Sequence, residues 1–209
     1  MGNPEAGHMI RCFVIEPTDT AVRALRRYAS STCPGPMSYH DASAPFARAA
    51  IVRDPARDGR YSIPGEHEAP PHDDPRWPTQ CACGYRFAAS DEWQVFGERL
   101  YRRADTGEEV TLRNPPVGAL WRATWLEDSP HWCGTDGQCW ACQTPGGTWM
   151  IDGRASNCAM PDDWIHRCWV RHGTAPDFTI DKNGKTCAAG AGSIQCGSYH
   201  GFLRNGYLT

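Results

Sequence analysis

The sequence predicts an α+β fold, made mainly of short antiparallel β-hairpins with two helices and long loops. Glycine-containing turn pairs separate short apolar runs through the C-terminal half, as expected for hairpins. Two stretches further upstream space their apolar residues as amphipathic helices do. Residues 31–80 show neither the alternation of apolar and polar residues typical of a strand nor the spacing typical of a helix. They are rich in Pro, Gly, Asp and His, which predicts a long irregular segment.

The first ordered segment begins at Met9. The apolar run MIRCFVIEP, residues 9–17, ends in proline and predicts a buried strand. The next stretch, TDTAVRALRRYAS, places Val22, Leu25 and Ala29 on one face of a helix and its arginines in solvent. This stretch is the first predicted helix.

The second predicted helix is DEWQVFGERL, in which Trp93, Phe96 and Leu100 share one face. The following stretch, LYRRADTGEEVTLR, predicts a hairpin that turns at Thr106 and Gly107.

From about residue 119 the sequence predicts β-structure. Two short strands are expected on either side of Pro145-Gly146-Gly147, and the pairs Asn183-Gly184 and Asn205-Gly206 favour two-residue hairpin turns. We therefore divide the chain into an N-terminal α+β part, residues 9–118, and a C-terminal β-rich part, residues 119–209. Each part contains one group of cysteines and histidines.

Composition narrows the classes of protein and of site. The net charge of −3 provides no basic field for nucleic acid, and no apolar run approaches the roughly 18 residues of a membrane helix. The start of the chain lacks a signal-peptide pattern, so we expect a protein that is not exported and whose thiols stay reduced. Eleven cysteines in such a chain favour metal binding over a disulfide framework.

The first group of candidate ligands lies at the two ends of the irregular segment. The turn CACGY resembles a zinc knuckle, with one residue rather than two between its cysteines, and CPGPMSYH supplies a cysteine and a histidine upstream. We predict a tetrahedral zinc site that holds residues 31–80 in the absence of an apolar core. Its ligands are Cys33, His40, Cys81 and Cys83. The alternative is a buried Cys33 and a solvated His40.

The second group centres on the stretch RASNCAMPDDWIHRCWVRHG, residues 154–173. On a strand, its histidines and second cysteine would face one way, and further ligands would arrive from neighbouring loops. The spacing matches no standard zinc finger. The candidate ligands of this second zinc site are Cys158, His166, Cys168, His172, Cys187 and His200. The alternative is a β core of cysteines, with His172 bonded to the backbone.

Two further interpretations concern the remaining cysteines and catalysis. Cys133, Cys139 and Cys142 are assigned to packing, because a strand would place Cys139 and Cys142 on opposite faces. A thiol, base and carboxylate arrangement is available from Cys158, from His166 or His200, and from Asp162 or Asp163. Chains this rich in cysteine and histidine offer such sets by chance, and no standard catalytic motif is present.

Several longer strings carry a resemblance to known proteins. ASNC, HRCWVRHG, TCAAGAGSI and YHGFLRNG, with DPRWP, CGY and LYRRADTGE upstream, resemble uncharacterised cysteine-rich proteins of tailed bacteriophages and prophages, from about Met9 to Thr209. The PGGTWMID hairpin, GSI, a Cys/His pair and FLRNG are distantly similar to a small domain found near bacterial ubiquitin-like conjugation genes. That domain, whose function is unknown, is thought to bind zinc through cysteine and histidine. Here three residues rather than two separate Cys196 from His200.

The resemblance implies a phage context and favours a metal, but it supplies no reaction. We expect a phage-encoded, zinc-binding, non-catalytic protein that acts in the host cytoplasm on a protein partner. The charge does not favour nucleic acid, and no membrane association is expected. The alternatives are a virion component, such as a head-decorating or minor structural protein, and a thiol- or zinc-dependent enzyme.

Overall fold

The computed structural model describes residues 9–34, 38–53, 61–163, 165–189 and 192–209. The structure is almost entirely β, with 43% of residues in strands and 3% in helical turns. The helical turns of the described residues are two three-residue 3-10 segments, η1 (Thr124–Leu126) and η2 (Pro130–Trp132). The predicted α+β class with two helices is therefore wrong.

The strands range from two-residue pairs to one of seventeen residues. The first eight are β1 Ile10–Arg11, β2 Phe13–Ala29, β3 His40–Ala50, β4 Val52–Arg53, β5 Tyr61–Ser62, β6 Glu92–Arg103, β7 Glu109–Thr111 and β8 Ala119–Arg122. The others are β9 Trp140–Thr144, β10 Gly147–Met150, β11 Val170–His172, β12 Thr179–Asp181, β13 Ile194–Cys196, β14 Tyr199–Gly201, β15 Leu203–Arg204 and β16 Tyr207–Leu208.

The first predicted helix lies inside strand β2. Leu25, Arg27 and Ala29 are buried at every second position, which is the period of a strand. The guanidinium of Arg27, expected in solvent, lies 3.7 Å from the centre of the Trp93 ring. Pairing with β3, from Thr20 opposite Ala50 to Ala29 opposite His40, outweighs the local helical spacing.

The second predicted helix lies inside strand β6. Trp93 and Val95, two positions apart, pack in one apolar cluster with Leu25 and Trp77. A helix would have turned Val95 away from Trp93, whereas a strand places both on one face. The predicted grouping of Trp93, Phe96 and Leu100 is therefore wrong as well.

The chain separates into two compact units. The inserted unit comprises Pro17–Leu100 and Thr111–Arg113; the C-terminal unit comprises the described parts of Met1–Glu16, Tyr101–Val110 and Asn114–Thr209. Strand β3 forms part of the segment 31–80, so that segment is less irregular than its sequence indicated.

The inserted unit has a small apolar core. Strand β2 pairs antiparallel with β3, and β6 neighbours β2 in the sheet. Its buried apolar cluster contains Leu25, Trp77 and Val95, with Phe46 and Trp93 packed against it. A core of this size leaves much of the unit to be stabilised by other interactions.

The C-terminal unit has a larger core, formed where several short sheets meet. Strands β8, β9 and β10 are antiparallel neighbours, and β8 pairs in parallel with the start of β2. The buried cluster contains Cys12, Leu120, Trp140, Cys142, Trp149, Ile151, Phe178, Ile180, Ile194, Leu203 and Leu208.

The predicted C-terminal hairpins have mixed outcomes. The hairpin β9–β10 and the hairpin β15–β16 are confirmed, the latter with Asn205 and Gly206 at φ values of 47° and 75°. At Asn183-Gly184 the prediction is wrong, because β12 pairs with the preceding strand β11 instead of a following strand. No helix among the described residues is long and apolar enough to cross a membrane.

Candidate metal centres

The first site comprises Cys33, His40, Cys81 and Cys83, all in the inserted unit. Its four ligand atoms lie within 4.8 Å of one another, so the structure brings together the set predicted from the sequence. Cys33 follows β2, and His40 is the first residue of β3. The two remaining cysteines occupy a tight turn closed by the bridge between Gln80 and Arg86.

The turn that carries Cys81 and Cys83 has the backbone geometry of a metal-binding loop. The N–H of Gly84 donates to the carbonyl of Cys81 over 2.9 Å, and the N–H of Cys81 donates to the backbone carbonyl of Tyr85 over 2.9 Å. Gly84 has φ +97°, a conformation that residues with a side chain rarely adopt. This glycine therefore allows both thiols to point to one side.

Electrostatics in the first site favour a thiolate. The pKa of Cys81 is lowered to about 6, chiefly because the backbone N–H of Cys83 donates to its sulfur, with a further contribution from the N–H of Asp41. Nδ1 of His40 lies 3.2 Å from Sγ of Cys83. The His40 ring stacks on Tyr85 with 4.0 Å between ring centroids, which fixes its orientation.

The second site comprises Cys158, His166, Cys168 and Cys187, all in the C-terminal unit. Their ligand atoms also lie within 4.8 Å of one another. Cys158 follows β10, His166 and Cys168 precede β11, and Cys187 follows β12. The prediction that residues 166–172 form one strand is wrong, because β11 begins only at Val170.

His166 occupies the centre of the second site. Its Nε2 lies 3.2 Å from Sγ of Cys158 and 4.0 Å from Sγ of Cys168. Its Nδ1 lies 2.8 Å from the carbonyl oxygen of Asp163, an acceptor that requires the proton on Nδ1. In a neutral imidazole this leaves Nε2, the atom that faces the sulfurs, with a lone pair, which is the tautomer that a metal-binding histidine needs.

The pKa values of Cys168 and Cys187 in the second site are shifted in opposite directions. Burial raises the pKa of Cys168 to about 11, and the neighbouring sulfurs of Cys158 and Cys187 add to this effect. Burial also opposes ionisation of Cys187, but backbone N–H groups of Ala189 and Ala159 outweigh it and lower its pKa to about 6. Several thiolates crowded together repel one another, and a divalent cation is the partner that removes this repulsion.

Two predicted ligands of the second site lie elsewhere. Nε2 of His172 is 3.0 Å from Oδ1 of Asp181, which lies on the adjacent strand β12 opposite Val170. Nε2 of His200 is 2.9 Å from Oγ of Ser193. The structure therefore does not bring His172 or His200 together with the four ligand atoms.

Among the other cysteines, Cys133 and Cys139 form a disulfide in the C-terminal unit. Their assignment to packing alone is therefore wrong, although both are buried, and the expectation that the thiols stay reduced is wrong for this pair. Cys142 is fully buried in the main core, as the packing interpretation requires.

Both clusters could hold a metal ion, and a sulfur–sulfur distance in the second site matches tetrahedral geometry. A metal–sulfur bond of about 2.3 Å places tetrahedral sulfur ligands about 3.8 Å apart. The sulfurs of Cys168 and Cys187 are 3.8 Å apart. Each group can therefore hold a metal ion through three sulfurs and one imidazole nitrogen.

No protein family, curated protein or solved structure matches the chain in comparisons of sequence and fold.

The carboxylate of Asp163 supports the second site without joining it. Its Oδ1 accepts the backbone N–H of Ile165 over 3.0 Å and that of His166 over 3.3 Å. Its Oδ2 pairs with Nζ of Lys185 over 2.7 Å, and the pKa of Asp163 is lowered to about 2, chiefly by this bond. The side chain of Asp163 thus helps to fix the backbone that presents His166. From the sequence alone, Asp163 is a candidate only for the carboxylate of a thiol, base and carboxylate arrangement.

We expect Asp163→Ala to lower the metal affinity of the second site about 10- to 100-fold, because loss of a supporting group loosens the ligand. Competition with a chromogenic chelator measures this affinity. Asp162→Ala is the matched control, since Asp162 is the adjacent carboxylate and is exposed. Equal affinities in the two variants would show that Asp163 does not support the site.

Proposed function

We propose that this is a zinc-stabilised, non-catalytic binding protein, encoded by a bacteriophage and acting in the cytoplasm of the infected host. The observation that carries the proposal is the pair of clusters with four protein ligands each. Structural zinc sites are closed by four protein ligands, whereas catalytic zinc keeps one position for water.

The donor atoms favour zinc over other metals. Each cluster offers three sulfurs and one imidazole nitrogen, a soft set typical of structural zinc. Hard cations such as Ca²⁺ and Mg²⁺ prefer oxygen, and neither cluster contains a carboxylate.

The second site also argues against a thiol enzyme. Cys158 and His166 are close enough for a nucleophile and base, but Nδ1 of His166 faces a backbone carbonyl instead of a carboxylate. His166 is fully buried and Cys168 is 1% exposed, so a substrate has no direct access to them. These features favour a ligand cluster that stabilises the loops.

A binding role is supported by apolar side chains left in solvent. In the C-terminal unit, Trp125 is 59% exposed and Ile165 is 71% exposed. Large aromatic residues such as Trp125 are enriched in protein interfaces. The phage context rests on the sequence resemblance. If the protein acts in the host cytoplasm, mass spectrometry of purified virions should not detect it. A stoichiometric amount of the protein in virions would favour the virion alternative.

Elemental analysis of protein purified without added metal should find about two zinc ions per chain, one for each closed site.

After chelation under denaturing, non-reducing conditions, thiol titration should find the nine cysteines outside the Cys133–Cys139 disulfide. In the native protein an alkylating agent should modify the half-buried Cys196 but spare Cys168 until zinc is removed. A fully folded protein without metal, or rapid alkylation of native Cys168 or Cys158, would contradict the proposal.

A further inference from the structure

The C-terminal unit contains an open cleft of about 820 Å³, within the roughly 300–1,000 Å³ typical of small-molecule sites. Trp132, Trp149 and Trp169 contribute to its walls. Trp149 and Trp169 meet edge to face, with 5.8 Å between ring centroids. Trp132 is 40% exposed and packs against Gly153, where an added Cβ would lie 3.0 Å from the ring. The cleft therefore presents a supported, flat aromatic surface.

The polar groups of the cleft are mostly neutral. Its hydroxyl and amide side chains are Thr148, Ser156, Asn157, Ser193 and Gln195. Hydroxyl and amide groups both donate and accept hydrogen bonds, so they match a ligand that does the same. Ser193 and His200 are already paired over 2.9 Å at the wall of the cleft.

Charge does not provide the recognition in this cleft. Among the described residues that line it there is no carboxylate, so an ammonium ligand would find no counter-ion. The guanidinium of Arg154 is engaged by the backbone: Nη1 donates to the carbonyls of Met160 and Pro161, and Nη2 donates to that of Asp163. These donors bond to the backbone of residues 160–163 and are therefore not directed to a phosphate.

We propose that this cleft binds a neutral carbohydrate. A sugar ring has an apolar C–H face that can pack on the indole of Trp132, and a rim of hydroxyls that Asn157, Gln195 and the Ser193–His200 pair can bond. A nucleotide also has a ring that stacks on tryptophan, but its phosphates require cations that this lining does not offer. The inference does not depend on the identity of the bound metal.

Saturation-transfer NMR on the full, metal-loaded chain tests the proposal. The probes are maltotriose, cellobiose, diacetylchitobiose and lactose, with AMP and UMP as competing ligand types. We expect transfer to the ring protons of at least one saccharide, with a Kd that changes little between about 50 and 500 mM NaCl, because a neutral ligand is not screened. Trp132→Ala should weaken binding about tenfold or more, as loss of a central aromatic contact does.

Trp125→Ala is the matched control, because Trp125 is 59% exposed and does not line the cleft. It should bind the saccharide as the unaltered chain does. Trp132→Phe retains an aromatic face and should lose less affinity than Trp132→Ala, which separates a lost contact from a folding defect. The proposal would be overturned if none of the four saccharides showed saturation transfer, or if the Trp132→Ala and Trp125→Ala variants bound a saccharide equally well. Salt-sensitive binding of the nucleotides alone would also overturn it.

Discussion

Replacement of Cys168 by serine should lower the zinc content from about two ions per chain to about one, and should destabilise the C-terminal unit. Cys168 is 1% exposed, and its sulfur lies 3.8 Å from that of Cys187 and 4.0 Å from Nε2 of His166. A serine hydroxyl at this position is a poor zinc ligand and adds a buried polar group. Because the site connects the segments after β10, before β11 and after β12, all three should loosen together.

Elemental analysis and thermal unfolding measure the two effects, and Cys196→Ser is the matched control. Cys196 is a half-buried cysteine of the same unit whose sulfur contacts the carbonyl of Thr148 over 3.5 Å, outside the cluster. The control should keep both zinc ions and nearly all of its stability. If Cys168→Ser also kept both, the second cluster would not be a metal site.

Both sites were predictable from residue type, and their details were not. The four candidate ligands of the first site follow from a cysteine and a histidine at one end of a segment and a two-cysteine turn at the other, a pattern that does not depend on the fold class. In the second site, histidines were included because they lie near the cysteines in the sequence. His172 instead pairs with Asp181 across β11–β12, a contact that depends on a strand register no local pattern specifies.

The helices were wrong for a physical reason. In β2, Val22, Leu25 and Ala29 have helical spacing, but the buried positions Leu25, Arg27 and Ala29 alternate. A buried arginine is not expected from composition, since Arg27 is accommodated by the Trp93 ring and by a hydrogen bond to the carbonyl of Ala88, both far away in the sequence. The hairpins β9–β10 and β15–β16 were correctly predicted, because a local turn joins the two strands of each, whereas the turn at Asn183-Gly184 did not produce a hairpin.

The largest effect on the inserted unit should come from Cys81→Ser. Among the described residues of this unit, the buried cluster around Leu25, Trp77 and Val95 is small, so the four-ligand site is expected to supply much of its stability. Loss of the site should increase the rate of trypsin cleavage at Arg48 and Arg76 about tenfold or more, since cleavage follows the population of the opened state. The zinc content should fall to about one ion per chain, while the C-terminal unit stays folded.

Two further variants distinguish loss of the metal from a general defect. His40→Ala removes a second ligand of the same site and should give the same cleavage pattern, because a zinc ion held by three ligands binds more weakly and exchanges with water. His67→Ala removes an exposed histidine of the same segment that is not in the cluster, and should leave cleavage and zinc content unchanged. Uniform unfolding of both units in Cys81→Ser would show instead that the two sites stabilise one cooperative structure, because separately stabilised units lose their protection separately.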